Sequence, residues 1–287
     1  MVSTSIPTAF IVRHGERLDH TDKLWQPDPS LGIWDPPVTP LGLLQSEKTG
    51  IEIVEMMRAQ KLDPRNTKIV VYSSPFQRCI DTSIGIIKGI QSTVKTTPTL
   101  RLDIGLGEWM CERFFDYVCP AQYLVSRQYE KLARQQAYSY SMLAKNSAGG
   151  GVLPTLNIDY AYSNSNQTEF DFPERYTDMI HRFEETRLHC LESASSLKKA
   201  EESVVVVFVT HAVGANALLD GFRNKVTIPL ESNYCSISCV RRSNPLAHMA
   251  DLSDQSDEDS EEYHTGFNSP SKSCTWRIET AMYNRHL

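Results

Sequence analysis

The sequence predicts an α/β fold, a three-layer α/β/α sandwich around a mostly parallel central sheet. Short β-branched segments alternate along the chain with amphipathic helical segments, as in right-handed β-α-β units. The run Ser203–Thr210 (SVVVVFVT) has no polar face, which is typical of a central parallel strand covered by helices on both sides. Polar clusters directly follow three of the predicted strands, and this pattern points to a site at one edge of the sheet.

Six segments have the composition of strands: 8–12, 68–72, 93–100, 203–210, 236–240 and 275–282. The third is the weakest, because Pro98 cannot donate a hydrogen bond within a sheet. The last two are predicted to pair with each other.

Five segments have the pattern of helices: 40 to about 57, 77 to about 90, about 121–144, 173 to about 197, and 212–222. Thr39 and Pro40 suit the N-cap and first position of the first of them. Its apolar residues recur at helical spacing and predict one buried face: Leu41, Leu44, Ile51, Val54 and Met57.

The length of 287 residues suits one domain spanning 1–287. Two segments depart from the α/β rhythm: an aromatic-rich insertion at about 112–172, and an acidic, serine-rich loop at about 243–273 that we expect to be disordered. Residues 251–262 hold seven acids and no base, so the formal net charge of −6 is concentrated there. The other 275 residues carry 29 bases and 28 acids, which gives no basic field, and no direct nucleic-acid binding is expected.

The longest apolar run, 204–209, is far too short to span a membrane, and the first twelve residues lack the basic start of a secretory signal. The seven cysteines form no Cys-x-x-Cys pair. We therefore expect reduced thiols in a cytoplasmic or nuclear protein, with no membrane partner, no metal site and no cofactor.

The three polar clusters are Arg13-His14 after the first strand, residues 73–78 after the second, and His211 after Thr210. Ligands of open parallel sheets bind beyond the carboxyl ends of the strands, so these clusters are predicted to converge. Each residue alone has an ordinary alternative role, such as a helix cap, a surface ion pair or a solvated side chain. The joint arrangement is what predicts a site.

The converging residues suit phosphoryl transfer. The forked guanidiniums of Arg13 and Arg78 can grip phosphoryl oxygens, and the two imidazoles supply a nucleophile and a further donor. Glu108 lies between glycines and an aromatic residue, where desolvation is expected to keep it protonated as the acid for the leaving group. The predicted reaction is metal-independent hydrolysis of a phosphate monoester.

These residues resemble the signature of the histidine phosphatase superfamily, which has the phosphoglycerate mutase-like fold. Residues 13–16 (RHGE) look like its first motif, 74–82 (SPFQRCIDT) like its Ser-x-x-x-Arg-x-x-x-Thr element, and Thr210-His211 like its late-strand histidine. The resemblance covers about 8–111 and 173–225. It implies that His14 is the phosphorylated nucleophile, that Arg13, Arg78 and His211 bind phosphate, and that Glu108 is the proton donor.

Residues 17–19 (RLD) and 105–109 (GLGEW) are similar to the phosphatase domain of the suppressor-of-T-cell-receptor-signalling proteins and to their fungal relatives. This likeness implies Arg17 as a third phosphate contact, with a surface salt bridge as the alternative. Ala212 departs from the glycine that many members carry after the second histidine. Two other functions stay open: a phosphatase-like scaffold subunit, as in the transcription factor TFIIIC, and a sugar-phosphate mutase or bisphosphatase.

The expected partner is a phosphorylated small molecule or a phosphoprotein substrate, with protein partners for the insertion or the acidic loop as a further hypothesis. Aromatic residues near the signature suggest that the pocket takes an aryl leaving group; the alternative is a satellite core under a long loop. The residues concerned are Trp25, Trp34, Trp109 and the tyrosines of the insertion.

Overall fold

A computed structural model of the chain describes residues 6–31, 33–145, 156–197, 203–242 and 276–287. The strands are β1 (Thr8–Arg13), β2 (Thr67–Ser73), β3 (Thr99–Leu102), β4 (Asn157–Ile158), β5 (Ser203–Thr210), β6 (Ile237–Arg242) and β7 (Trp276–Tyr283). The α-helices are α1 (Leu18–Thr21), α2 (Pro40–Ala59), α3 (Gln77–Thr93), α4 (Ala121–Lys145), α5 (Tyr176–Ser195) and α6 (Ala212–Arg223). The predicted acidic loop at 243–273 lies outside the described residues.

The seven strands form one sheet in the order β4-β3-β2-β5-β1-β6-β7. Neighbouring strands from β4 to β1 are parallel. Strand β6 is antiparallel to both of its neighbours, β1 and β7, and the predicted pairing of the last two strands is confirmed. Alternate β1 residues enter two cores: Phe10 and Val12 join α2 and α3, while Ala9 and Ile11 join α5 and α6. The α/β fold with a mostly parallel sheet and helices on both faces is confirmed.

The third strand differs from its prediction. It begins at Thr99 rather than at residue 93, because α3 continues through Thr93 and Pro98 cannot join a ladder. The two-residue strand β4 was not predicted, since such a short segment has no periodicity to detect.

The buried face of α2 also differs from its prediction. Val54 and Met57 are buried as predicted, but Leu41, Leu44 and Ile51 are exposed, and small residues of the helix face α3 instead. At Gly50 an added Cβ would lie 2.1 Å from the Ile86 carbonyl oxygen, so only glycine permits this approach of the backbones. The buried face of α2 is therefore set by its close packing against α3 rather than by the spacing of its apolar residues.

The predicted helix within 112–172 is present as α4. Side chains from this segment form a small core with Phe76, a residue that immediately precedes α3. Its buried members are Ile33, Phe76, Met110, Phe115, Cys119 and Leu124. This core supports the loop before α2 and one wall of the site described below.

Candidate active site

The sheet register brings the two predicted histidines together. Arg13 of β1 pairs with Thr210 of β5, and the His14 N–H donates to the Thr210 carbonyl oxygen over 2.9 Å. The residue after each strand is therefore a histidine at the same edge of the sheet. The two imidazole rings lie 5.5 Å apart, inclined at 65°.

The geometry of His14 leaves one ring nitrogen available to a ligand. Nδ1 lies 2.8 Å from the Gly15 carbonyl oxygen, which can only accept, so Nδ1 carries the proton in the neutral ring. Burial lowers the pKa of His14 well below its ordinary value of 6.5, and the charge of Arg78 lowers it further. The Nε2 atom of the neutral ring then has the free lone pair that a nucleophile needs.

The glycine after His14 is required by packing. A Cβ at Gly15 would lie 2.7 Å from the Gly42 carbonyl oxygen, at the start of α2. The Gly15 N–H donates to the Thr82 hydroxyl over 2.9 Å, which joins the signature loop to α3. This loop is thus held from two sides while its histidine faces the site.

Arg78 is buried in the first turn of α3, with its guanidinium carbon 4.6 Å from the centre of the Phe76 ring. Its Nη2 lies 3.0 Å from His211 Nδ1 and 3.3 Å from Glu108 Oε2. Its Nη1 lies 3.5 Å from Oδ1 of the buried Asp35, a longer contact than a hydrogen bond.

Some guanidinium donors of the site have no partner among the residues that the structure describes. These buried nitrogens are Nε of Arg13 and both Nε and Nη1 of Arg78. Leaving a buried N–H unpaired is costly, unless a ligand completes it. Donors of this type, on cationic groups beside a free imidazole nitrogen, fit the oxygens of an anion.

His211 is the N-cap residue of α6 and is fully buried. Its Nε2 lies 2.9 Å from the Ser74 hydroxyl, while its Nδ1 accepts from Arg78 Nη2. Burial lowers the pKa of His211 to about 4, although Glu108 at 3.2 Å raises it. Through Nδ1, His211 orients the Arg78 guanidinium.

The structure corrects the expected protonation of Glu108. Burial raises the pKa of this carboxyl, as predicted, but the contacts with His211 and Arg78 outweigh it and place the pKa below the ordinary range. Glu108 is thus a carboxylate rather than a carboxylic acid in this environment. The sequence prediction weighed burial alone and missed the neighbouring charge.

Arg13 is held by a residue that the sequence analysis missed. Its guanidinium carbon lies 4.3 Å from the centre of the Tyr234 ring, and its Nη1 donates to the Ser232 carbonyl oxygen. The Tyr234 ring is also 5.8 Å from the His14 ring, and its hydroxyl lies 2.5 Å from His20 Nδ1. Neither Tyr234 nor Asp35 stands in a motif, so only the fold shows that they belong to the site.

Arg17, implied as a third phosphate contact, is engaged elsewhere. Its Nε and Nη2 donate to Asp19 over 2.9 and 2.6 Å, the two-pronged ion pair that was the alternative. Trp34 Nε1 donates to the same carboxylate over 3.0 Å. Five predicted site residues therefore come together, while Arg17 is paired with Asp19.

The aromatic residues are distributed over two places. The Trp25 and Trp34 rings contact each other at 5.0 Å, whereas Trp109 packs against Phe114 and Tyr176. The Phe76 ring lies 5.1 Å from the His211 ring and backs onto the small core of the 112–172 segment. This arrangement favours the satellite-core interpretation for much of the aromatic content.

The described residues contain no group of three or more His, Cys, Asp or Glu side chains arranged to hold a metal ion. None of the helices described is long and apolar enough to cross a membrane. The six cysteines in the described part of the chain are unpaired and buried.

The model of the histidine phosphatase superfamily (branch 1) matches residues 9–118. That range contains Arg13, His14, Arg78 and Glu108. Over that range, a little over a third of the chain, the sequence is similar to this superfamily.

Solved structures resemble the chain at low identity. The ecdysone phosphate phosphatase from Bombix mori is 19% identical, with a TM-score of 0.52 over 82% of this chain and 89% of that one. Mycobacterial hydrolase 1 is 14% identical, with a TM-score of 0.48 over 97% and 99%. The mycobacterial glucosyl-3-phosphoglycerate phosphatase is 15% identical, with a TM-score of 0.46 over 97% and 98%. The first of these shows the fold, and no curated protein matches the chain.

Proposed function

We propose that the protein is a metal-independent phosphatase that hydrolyses phosphate monoesters through a phosphohistidine on His14. One observation carries the proposal: a buried, neutral His14 with its Nε2 lone pair free lies among guanidinium donors that lack partners in the described structure. A nucleophile beside a cationic cradle is the arrangement that stabilises the charge of a transferring phosphoryl group.

The first chemical step forms a P–N bond. His14 Nε2 attacks phosphorus while the bond to the leaving-group oxygen breaks, and Glu108 gives that oxygen a proton. Glu108 has to acquire this proton, since it is a carboxylate in the free protein. A phosphoryl group bound at Arg78 adds negative charge beside Glu108 and so raises its pKa, and a monoanionic ester can bring the proton.

The second step returns the enzyme to its starting state. Glu108, now a carboxylate, takes a proton from water, and the resulting hydroxide attacks phosphorus as the P–N bond breaks. Inorganic phosphate takes the proton from Glu108 as it leaves, so Glu108 is again a carboxylate and the lone pair of His14 Nε2 is restored. Arg13, Arg78 and His211 hold the phosphoryl oxygens in both steps, with Arg17 as a further contact if it leaves Asp19.

The expected substrate is a phosphorylated small molecule or a phosphoprotein. An aryl ester is the first one to test, because the Tyr234 ring lies beside both Arg13 and His14. The finer likeness to the suppressor-type domains and their fungal relatives, and a cytoplasmic or nuclear location, remain parts of this proposal. The likeness rests on the sequence motifs, and the location rests on the unpaired cysteines.

The two alternatives make different demands on the site. A scaffold subunit has no physical need for buried guanidiniums with unpaired donors, and their presence therefore favours an enzyme. A sugar-phosphate mutase needs further basic residues for the second acidic group of its substrate. The aromatic character of the 112–172 segment favours the phosphatase over the mutase.

The test is hydrolysis of p-nitrophenyl phosphate, with chelator present, by the wild type and by His14→Ala. We expect activity in the wild type alone, and after acid-free quenching a phosphoenzyme that is labile in acid and stable in alkali. His181→Ala, an exposed histidine of α5, is the matched control and should keep full activity. An inactive wild type would favour the scaffold, and an active His14→Ala would exclude the proposed nucleophile.

A further inference from the structure

Asp35 is a buried carboxylate of the site that no sequence motif includes. Its side chain is fully shielded from solvent, and Oδ1 lies 3.5 Å from Arg78 Nη1. On the other side of the same guanidinium, Glu108 Oε2 lies 3.3 Å from Nη2. Arg78 thus lies between two carboxylates, although it is also the residue best placed to bind phosphate.

Asp35 is fixed by groups other than Arg78. Its two oxygens accept from the Gln77 N–H over 2.8 and 3.0 Å, and Oδ2 accepts from Gln128 Nε2 of α4 over 3.3 Å. Arg78 Nη1, by contrast, has no hydrogen-bond partner among the described residues. The influence of Asp35 on Arg78 is therefore mainly through charge rather than through a positioning hydrogen bond.

We propose that Asp35 sets the anion affinity of the site, because its negative charge competes with the phosphoryl group for Arg78. The inference rests on the proposed function, since it assumes that the Arg78 donors bind phosphate. When Asp35 is ionised, Arg78 is offset by two acids and an incoming dianion is bound weakly. When Asp35 is neutral, more of the charge of Arg78 is available to the anion.

The surroundings of Asp35 set the pH at which this change occurs. Burial raises the pKa of Asp35 to about 6, although Arg78 and the Gln77 N–H lower it. Because a raised carboxyl pKa means that the neutral form persists up to that pH, anion binding should be tighter below about pH 6. The charged or titratable neighbours are Arg78, Asp81 and Cys79 of α3, Lys131 of α4, Cys119 before α4, and Arg17.

The experiment measures sulfate binding calorimetrically from about pH 5 to about pH 8, a range in which sulfate stays a dianion while most surface carboxylates remain ionised. The wild type should bind sulfate more weakly as the pH rises through about 6. Asp35→Asn keeps an acceptor for the Gln77 N–H but removes the charge. We expect it to bind sulfate on the order of tenfold more tightly at pH 8, with a flatter pH profile.

Stability gives an independent readout. A bound anion raises the stability of the folded state more, the more tightly it binds. Sulfate should therefore raise the melting temperature of Asp35→Asn more than that of the wild type. If Asp35→Asn does not fold, Lys131→Ala replaces it: removing this cation raises the pKa of Asp35 and should move the sulfate transition to higher pH. Arg134→Ala, also on α4, is its control.

Asp81→Asn is the matched control for Asp35→Asn. Burial raises the pKa of Asp81 to about 6 as well, but its oxygens accept from Gln77 Nε2 and the Val38 N–H. Its sulfate affinity at pH 8 should stay within about twofold of the wild type. If the wild type hydrolyses p-nitrophenyl phosphate but Asp35→Asn binds sulfate no more tightly than the wild type, the inference is overturned and the proposed function stands. A wild type that neither binds sulfate nor hydrolyses the ester would instead overturn the proposed function.

Discussion

The imidazole rings of His14 and His211 lie 5.5 Å apart because each follows a strand of one parallel pair, β1 and β5. The two residues are distant along the chain, and the Arg13–Thr210 register alone makes them neighbours. A shift of that register by one residue would turn one of the rings to the other face of the sheet. The pairing of two central strands therefore fixes the relative position of the two histidines.

Glu108→Gln tests the role of the acid. The variant should lose about 100-fold or more in kcat on an alkyl phosphate, whose leaving group needs a proton, and much less on p-nitrophenyl phosphate. Steady-state rates on the two esters give the comparison. Glu112→Gln, an exposed residue nearby, should behave as the wild type. Equal losses on both esters would show that Glu108 does something other than protonate the leaving group.

Arg78→Lys tests the forked donor. A lysine keeps the positive charge but cannot bridge the phosphoryl oxygens while contacting His211 and Glu108. We expect kcat/KM on p-nitrophenyl phosphate to fall about 100-fold or more. The conservative change Arg134→Lys, on exposed α4 surface, should have no effect. Activity within twofold of the wild type in Arg78→Lys would mean that charge alone suffices.

Tyr234→Ala tests the aromatic support of Arg13. Loss of the ring that lies 4.3 Å from the guanidinium should raise KM about fivefold. Tyr234→Phe keeps the ring and loses the hydroxyl that contacts His20, so its KM should stay close to that of the wild type. Should the phenylalanine variant be as impaired as the alanine variant, the hydroxyl rather than the ring would be the important group.

The protonation state of His14 predicts the acid side of the activity profile. Burial and then Arg78 lower its pKa well below 6.5, so the nucleophile stays neutral as the pH falls through the ordinary histidine range. We expect kcat/KM on p-nitrophenyl phosphate at about pH 5.5 to be at least as high as at about pH 7.5. A decline with a midpoint near the ordinary histidine pKa would contradict this assignment.

Gly89→Ala tests the packing of α2 on α3. An added Cβ would lie 2.0 Å from the Glu47 carbonyl oxygen, so the helices must separate. The free energy of unfolding should fall by about 3 kcal/mol, although alanine in an unhindered helix position gains about 1 kcal/mol over glycine. Lys88→Ala, at the exposed neighbouring position, should change it by less than about 0.5 kcal/mol in chemical denaturation. A stabilised Gly89→Ala would show that the helices can move apart freely.

Sequence patterns predicted the sheet and its helices where the signal is local. The Ser203–Thr210 run, the capped start of α2 and the amphipathic α5 each follow from residues within one segment. The buried face of α2 was misjudged because its contact with α3 depends on glycines that a count of apolar residues ignores. Strand β3 was misplaced because α3 continues to Thr93 and Pro98 cannot join a ladder.

The sequence by itself determined which chemistry is available here: histidines and arginines placed after strands whose ends must meet at one edge of a parallel sheet. Only the tertiary structure decided which groups of the site are charged and which residues surround them. Asp35 and Tyr234 enter the site from loops without a motif, and the contacts of Glu108 with Arg78 and His211 make it a carboxylate. The physical reason is that protonation and ion pairing depend on distances between groups far apart in the chain.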